Sequence, residues 1–170
     1  MGVAMTEGRN AVPVEVKALM LDPSSNLPIV ILHDPESDRY LPIWIGLFEA
    51  QAIAMKLEGI EATRPMTHDL FHQSLTDLGA RIKRVVISDL RESTFHAEIQ
   101  IEQDGASQTL DARPSDAIAM ALRAEAVVFV NPSVLEKALE GPVLEKLGSE
   151  EEIRKWLEEA EPEEFGKYKM

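Results

Sequence analysis

Leu110-Asp111-Ala112-Arg113-Pro114-Ser115-Asp116-Ala117-Ile118-Ala119-Met120-Ala121-Leu122-Arg123 reads as the end of a strand, a tight connection and then a helix. Pro114 suits the first helical position, where its missing N–H is not needed and its φ is already helical. Arg113, preceding a proline, is pushed toward extended geometry and marks the boundary. Asp116 falls in the first turn, where a carboxylate meets the positive end of the helix dipole. The unbroken apolar run Ala117 to Leu122 predicts a helix covered on nearly all sides. Asp111, Arg113, Asp116 and Arg123 therefore bracket a buried helix, and burying charges is costly unless they are paired. The stretch is either a structural clamp or a site.

Around it, 170 residues suffice for one core and are few for two domains. The chain is 45% hydrophobic, against wholesale disorder, and has no cysteine, which removes disulfides and thiolate metal sites. A cysteine-free chain fits a reducing, cytoplasmic setting. No apolar run approaches the roughly 20 residues needed to cross a bilayer, so no membrane partner is expected. Met1-Gly2-Val3-Ala4-Met5-Thr6 matches a myristoylation pattern, but so short a match reads as an ordinary terminus. The net charge of −13 counts against polyanionic partners. Residues 135–170 hold 11 acidic and 6 basic side chains, so the remainder, with 19 and 11, is acidic too. Any basic site must be local. Aromatics at 5% argue against a base-stacking surface.

Outward from the opening stretch, the pattern predicts an α+β fold: a mixed, largely antiparallel sheet with helices packed on it, and a C-terminal helical tail. Residues 1–12 read as a flexible terminus, 13–140 as the folded domain and 141–170 as an acidic helical tail. Val14, Val16, Ala18 and Met20 alternate as the inner face of a first strand, followed by strands at 28–33 and 40–45 in a meander. Leu47 to Glu58 is a helix stopped by Gly59; Thr67 is the N-cap of another that ends before Gly79. Strands follow at 83–89, 95–102 and 107–110, the last two joined by the Asp104-Gly105 hairpin signal, and a short one at 127–130. Pro132 to Leu139 reads as a helix, broken at Gly141-Pro142. Ser149 with Glu152 forms a capping box for a helix through Ala160, whose stripe of Ile153, Trp156, Leu157 and Ala160 must dock on the core or on a second subunit. Gln51-Ala52-Ile53-Ala54-Met55 echoes Asp116-Ala117-Ile118-Ala119-Met120, which is consistent with two pseudo-equivalent halves or with the sameness of small-apolar helices.

Three constellations bear chemistry. His68 and His72 share a helix face beside Asp69, a weak metal-ligand spacing that reads sooner as helix-dipole chemistry than as a metal site. Asp111 and Asp116, with Glu49 early in the echoing helix, are the kind of carboxylate set that holds Mg²⁺ or Mn²⁺ for phosphodiester cleavage. Arg113 or Arg64 would then pair with phosphate oxygens. The same residues read alternatively as a salt-bridge network pinning two helices. Arg81, Lys83, Arg84 and Arg91 form the one dense basic patch, read as a solvated strand face. Ser115 lacks a sequence-evident histidine partner, against a nucleophilic serine.

Leu41-Pro42-Ile43-Trp44-Ile45-Gly46 with Glu49-Ala50, Arg64-Pro65-Met66-Thr67-His68-Asp69-Leu70, and Asp111 through Ala119 together resemble the signature of the bifunctional nuclease family, long catalogued as a domain of unknown function. The resemblance spans about residues 13–140. It implies a compact α+β domain assembling as a homo-oligomer, a dimer first, and action on RNA or DNA. The matching polar positions are Glu49, Arg64, Thr67, His68, Asp69, Asp111, Arg113, Ser115 and Asp116.

Two expectations follow. In the first, the chain is a metal-dependent nuclease: Asp111, Asp116 and Glu49 hold Mg²⁺ or Mn²⁺, His68 with Asp69 is the general base, and Arg64, Arg113 and Ser115 bind substrate, with Arg113 on the scissile phosphate. In the second, it is a non-catalytic oligomeric module whose charged residues form a closed network.

Overall fold

The computed structural model describes residues 10–140 and 149–159. The N-terminal pattern at Met1–Thr6, the break at Gly141-Pro142 and the end of the tail beyond Glu159 lie outside them. Strands β1 (Val12–Leu21), β2 (Pro28–Asp34) and β3 (Arg39–Trp44) lead into helices α1 (Leu47–Leu57) and α2 (Thr67–Asp77). Strands β4 (Ala80–Arg91), β5 (Thr94–Gln103) and β6 (Ala106–Ala112) lead into α3 (Pro114–Ala124). The short β7 (Val127–Val130), α4 (Pro132–Glu140) and α5 (Glu150–Glu159) complete it.

One seven-stranded sheet has the order β3-β2-β1-β7-β4-β5-β6. Each outer half is an antiparallel meander followed by a helix, and α1 and α3 pack on each other, so the repeated small-apolar sequence marks two similarly built halves. β7 joins them, antiparallel to β1 and parallel to β4. The mixed, largely antiparallel sheet with packed helices is the expected class. Asp104 and Gly105 both have positive φ, as the two-residue hairpin demands. Glu92 and Ser93 form a second such turn without a glycine, which composition does not announce.

The expected face of β1 is wrong beyond its midpoint. A bulge between Val16 and Ala18 shifts the register, so Val14 and Leu19 face the main core while Ala18 and Met20 face the reverse side. An extra residue inverts every side chain after it. The main core unites both halves of the sheet with α1, α3 and α4. On the reverse side, Ile153 of α5 is fully buried among Ala18, Met20, Ile29, Ile31 and Tyr40. Ile153 and Leu157 of the tail stripe thus dock on their own chain, while Ala160 and the Trp156 side chain lie outside what is described. The predicted capping box is present: Ser149 N–H donates to Glu152 Oε2 at 2.6 Å and Glu152 N–H to Ser149 Oγ at 3.3 Å. No helix among the described residues is long and apolar enough to cross a membrane. Ile153→Ala should lower the unfolding free energy in urea by about 2–4 kcal/mol, through lost burial and the cavity left behind.

Candidate active site

Three helices begin at one corner of the molecule, and each carries an acid at its third position: Glu49 in α1, Asp69 in α2 and Asp116 in α3. A carboxylate there meets the free N–H groups of the first turn and the positive end of the dipole. Two arginines of the opening stretch answer these three acids. Arg113 occupies the N-cap of α3, extended at φ −69° and ψ 146° as the following proline dictates, which turns its side chain away from the helix. Its Nε donates to Asp116 Oδ2 at 2.7 Å and its Nη2 to Glu49 Oε1 at 2.8 Å. Arg123, at the other end of α3, donates to Asp69 Oδ1 at 2.6 Å and to the backbone carbonyls of Ala119 and Ala52. The Arg123 side chain is 7% exposed and that of Arg113 65%. One arginine is a clamp; the other faces solvent.

His68 completes the corner, its Nε2 2.9 Å from the second oxygen of Asp116. Burial opposes ionisation of Asp116, but hydrogen bonds from Arg113 and His68 outweigh it and hold the carboxyl below its usual range. Burial likewise opposes ionisation of Asp69, and the Met66 N–H and Arg123 overcome it. That Met66 contact, 2.9 Å to Asp69 Oδ2, shows the α2 cap one residue earlier than expected: Met66 holds the N-cap position and Thr67 is the first helical residue. Glycine at 46, the N-cap of α1, leaves room for Glu49 to fold back; an added Cβ would lie 2.1 Å from Glu49 Oε2.

Four of the sequence-selected residues, Glu49, His68, Arg113 and Asp116, are thus in one hydrogen-bonded cluster, with Asp69 joined to α3 through Arg123. Ser115 is buried in the first turn of α3. Asp111 is exposed on β6 opposite Glu98, and Arg64 is exposed in the loop before α2; neither makes an ion pair with another described residue. Among the described residues no three His, Asp or Glu side chains gather as metal ligands. The Arg113 guanidinium lies between Glu49 and Asp116 and engages both carboxylates, so the donor set does not fit Mg²⁺ or Mn²⁺ in this arrangement: a cation would have to displace it.

Beside the cluster opens a cavity of about 510 Å³, reached by Arg113 and Ser115 and walled by Ile43, Ile45 and Phe95. Sequence reasoning missed it because its walls come from β3 and β5, far apart in the chain. It also missed the bond from Arg123 to Ala52, since a backbone carbonyl leaves no mark in composition. The recurrent acid at the third helical position was the available signal for Glu49.

Asp69→Ala should destabilise the fold by about 2 kcal/mol by leaving Arg123 without its charged partner. For Asp69 and Asp116 the folded pKa is depressed, so their contribution is complete above the unfolded carboxylate value of about 3.9 and is lost as pH falls through the folded value. Urea midpoints measured from pH 6 down to pH 2 should therefore drop steeply at the acid end in the native protein, and less steeply in Asp69→Ala.

The bifunctional nuclease domain family matches residues 30–141, which contain every residue of the cluster. The chain is 38% identical over 155 residues to the uncharacterized protein Rv1829 of Mycobacterium tuberculosis, covering 91% of each. It is 24% identical over 135 residues to bifunctional nuclease 1 of Oryza sativa subsp. japonica, covering 76% of this chain but 41% of the rice protein. By the extent of the domain match, this chain belongs to the bifunctional nuclease domain family.

Proposed function

We propose that this chain cleaves phosphodiester bonds of RNA or DNA at the corner formed by Arg113, Asp116 and His68. The supporting observation is the 2.9 Å contact between His68 Nε2 and an ionised Asp116, beside an arginine whose side chain is mostly exposed. In this reading Asp116 accepts from Nε2–H of His68, and Nδ1 is the atom that takes the proton as general base. Arg113 presents a planar fork suited to two phosphate oxygens and would stabilise the charge gathering on them as a water molecule, giving its proton to His68, attacks phosphorus. The P–O bond to the departing strand breaks, and the leaving oxygen takes that proton back from His68. Ser115 and Arg64 are further phosphate contacts in this reading. Asp69 acts at one remove, fixing α2 and hence His68 through Arg123.

The acidic surface favours short or locally bound strands over long duplexes, since little of it can neutralise a polyphosphate. We further infer a homodimer in a reducing compartment. No residue of α2 is buried, Leu70 and Phe71 are exposed on it and Leu78 is exposed just past its end, with Phe48 of α1 81% exposed. Apolar surface of this extent on a soluble chain marks association.

The test is cleavage of labelled single-stranded RNA and DNA by stringently purified protein in Mg²⁺, Mn²⁺ or EDTA, beside folded His68→Ala and Asp116→Ala variants. The proposal predicts cleavage that falls about 10²–10⁴-fold in either variant. Cleavage unaltered by both would place the activity elsewhere. No cleavage in any condition would leave the closed ion network as a feature of a non-catalytic oligomeric module. The EDTA arm decides whether a cation is required.

A further inference from the structure

The cavity beside the cluster has features that phosphodiester chemistry alone does not use. Its walls at Ile43, Ile45 and Phe95 are apolar. Trp44 turns its ring to the reverse side of the sheet, where it packs on the Ile153 cluster and its indole N–H donates to Asp22 Oδ2 at 3.0 Å, so Phe95 supplies the aromatic face of the cavity. At one end the character changes abruptly. Arg113 brings a positive charge to the rim, and Ser115, only 6% exposed, reaches the cavity with a hydroxyl that has no hydrogen-bond partner among the described residues. Ser115 also lies in the first turn of α3, an eleven-residue helix whose opening N–H groups have no intrahelical acceptors. The Ser115 hydroxyl is not sealed from solvent, so it opens to the cavity, where a bound group can pair with it. An arginine, a free hydroxyl and a helix N-terminus at one point describe a site for a phosphate. A flat apolar compartment directly behind it describes a site for the group attached to that phosphate.

We propose that this cavity receives one unpaired nucleotide, its base against Phe95, Ile43 and Ile45 and its phosphate on Arg113 and Ser115. A volume of about 510 Å³ lies within the range of small-molecule sites and is ample for a nucleobase with its sugar. A base held in a duplex cannot enter, so the inference rests on the nucleic-acid reading above and narrows its substrate to single strands or strand ends. Arg113 then serves two contacts in sequence: it is held by Glu49 and Asp116 without ligand, and a phosphate arriving at the rim competes for the same guanidinium. The apolar walls also account for how so acidic a chain would hold a nucleotide, since base burial adds affinity that does not depend on net charge.

Calorimetric titration with adenosine 5′-monophosphate, adenosine and inorganic phosphate tests this, repeated with Ser115→Ala and Phe95→Leu and with folding of each variant verified by thermal melting. The monophosphate should bind at least about tenfold more tightly than adenosine or phosphate, because it fills both ends of the cavity. Each variant should weaken it by about tenfold, Ser115→Ala through the phosphate end and Phe95→Leu through the base end. A single-stranded oligonucleotide should compete with the monophosphate and a blunt duplex should not. Equal affinity for monophosphate and inorganic phosphate would overturn the base subsite, and affinities unchanged in both variants would overturn the cavity as the site. The two readings fail separately. Cleavage of single strands with KM unchanged in both variants would sink this inference and leave the nuclease standing. Variant-sensitive nucleotide binding by a protein that cleaves nothing would do the reverse.

Discussion

A guanidinium that is almost wholly withdrawn from water must have its charge answered and its donors occupied, and Arg123 meets that requirement by reaching out of its own helix. It bonds Asp69 at the start of α2, the Ala52 carbonyl in the middle of α1 and the Ala119 carbonyl one turn back in α3. Three helices are thereby fixed relative to one another by one side chain. Their N-termini meet at the corner where Glu49, His68, Arg113 and Asp116 lie. The cluster needs that alignment, because His68 reaches Asp116 only if α2 holds its place beside α3. Stability and the site share a scaffold without sharing an arginine.

The two arginines divide the alternatives that the sequence left open. Burial and backbone partners make Arg123 the clamp. Exposure, two carboxylate partners and a place on a cavity rim make Arg113 the group free to exchange its partners for a phosphate. The geometry also relocates the chemistry. Glu49 and Asp116 neutralise Arg113 rather than converging on an open position with Asp111, so acid–base action by His68 carries the proposed reaction.

Much of the architecture was legible where local chemistry is strong. Pro114, Gly59, Gly79 and Asp104-Gly105 set their boundaries through φ preferences that no tertiary contact overrides, and the alternation in β5 gave its buried face directly. The capping box at Ser149 and Glu152 is likewise a purely local pattern. What was lost has a common origin in space. The β1 bulge, which exchanges the strand's faces, lies between Val16 and Ala18 within the pairing to β2, and the local alternation gives no sign of it. The cavity walls at Ile43, Ile45 and Phe95 come from separate halves of the chain and meet through folding, so neither stretch announces them. Within the site, the acids and His68 were found from helix-start chemistry and from the family resemblance, whereas the Arg123 bond to a carbonyl required the fold.

The division of labour between the arginines is tested most directly by urea unfolding and oligonucleotide cleavage measured side by side on Arg113→Gln and Arg123→Gln. The account predicts that Arg113→Gln keeps a near-native unfolding midpoint and loses most of its cleavage. Arg123→Gln should lose about 2–3 kcal/mol of stability, the scale expected when buried charged hydrogen bonds are broken. Cleavage retained in Arg113→Gln, or a loss of stability there as large as in Arg123→Gln, would contradict it.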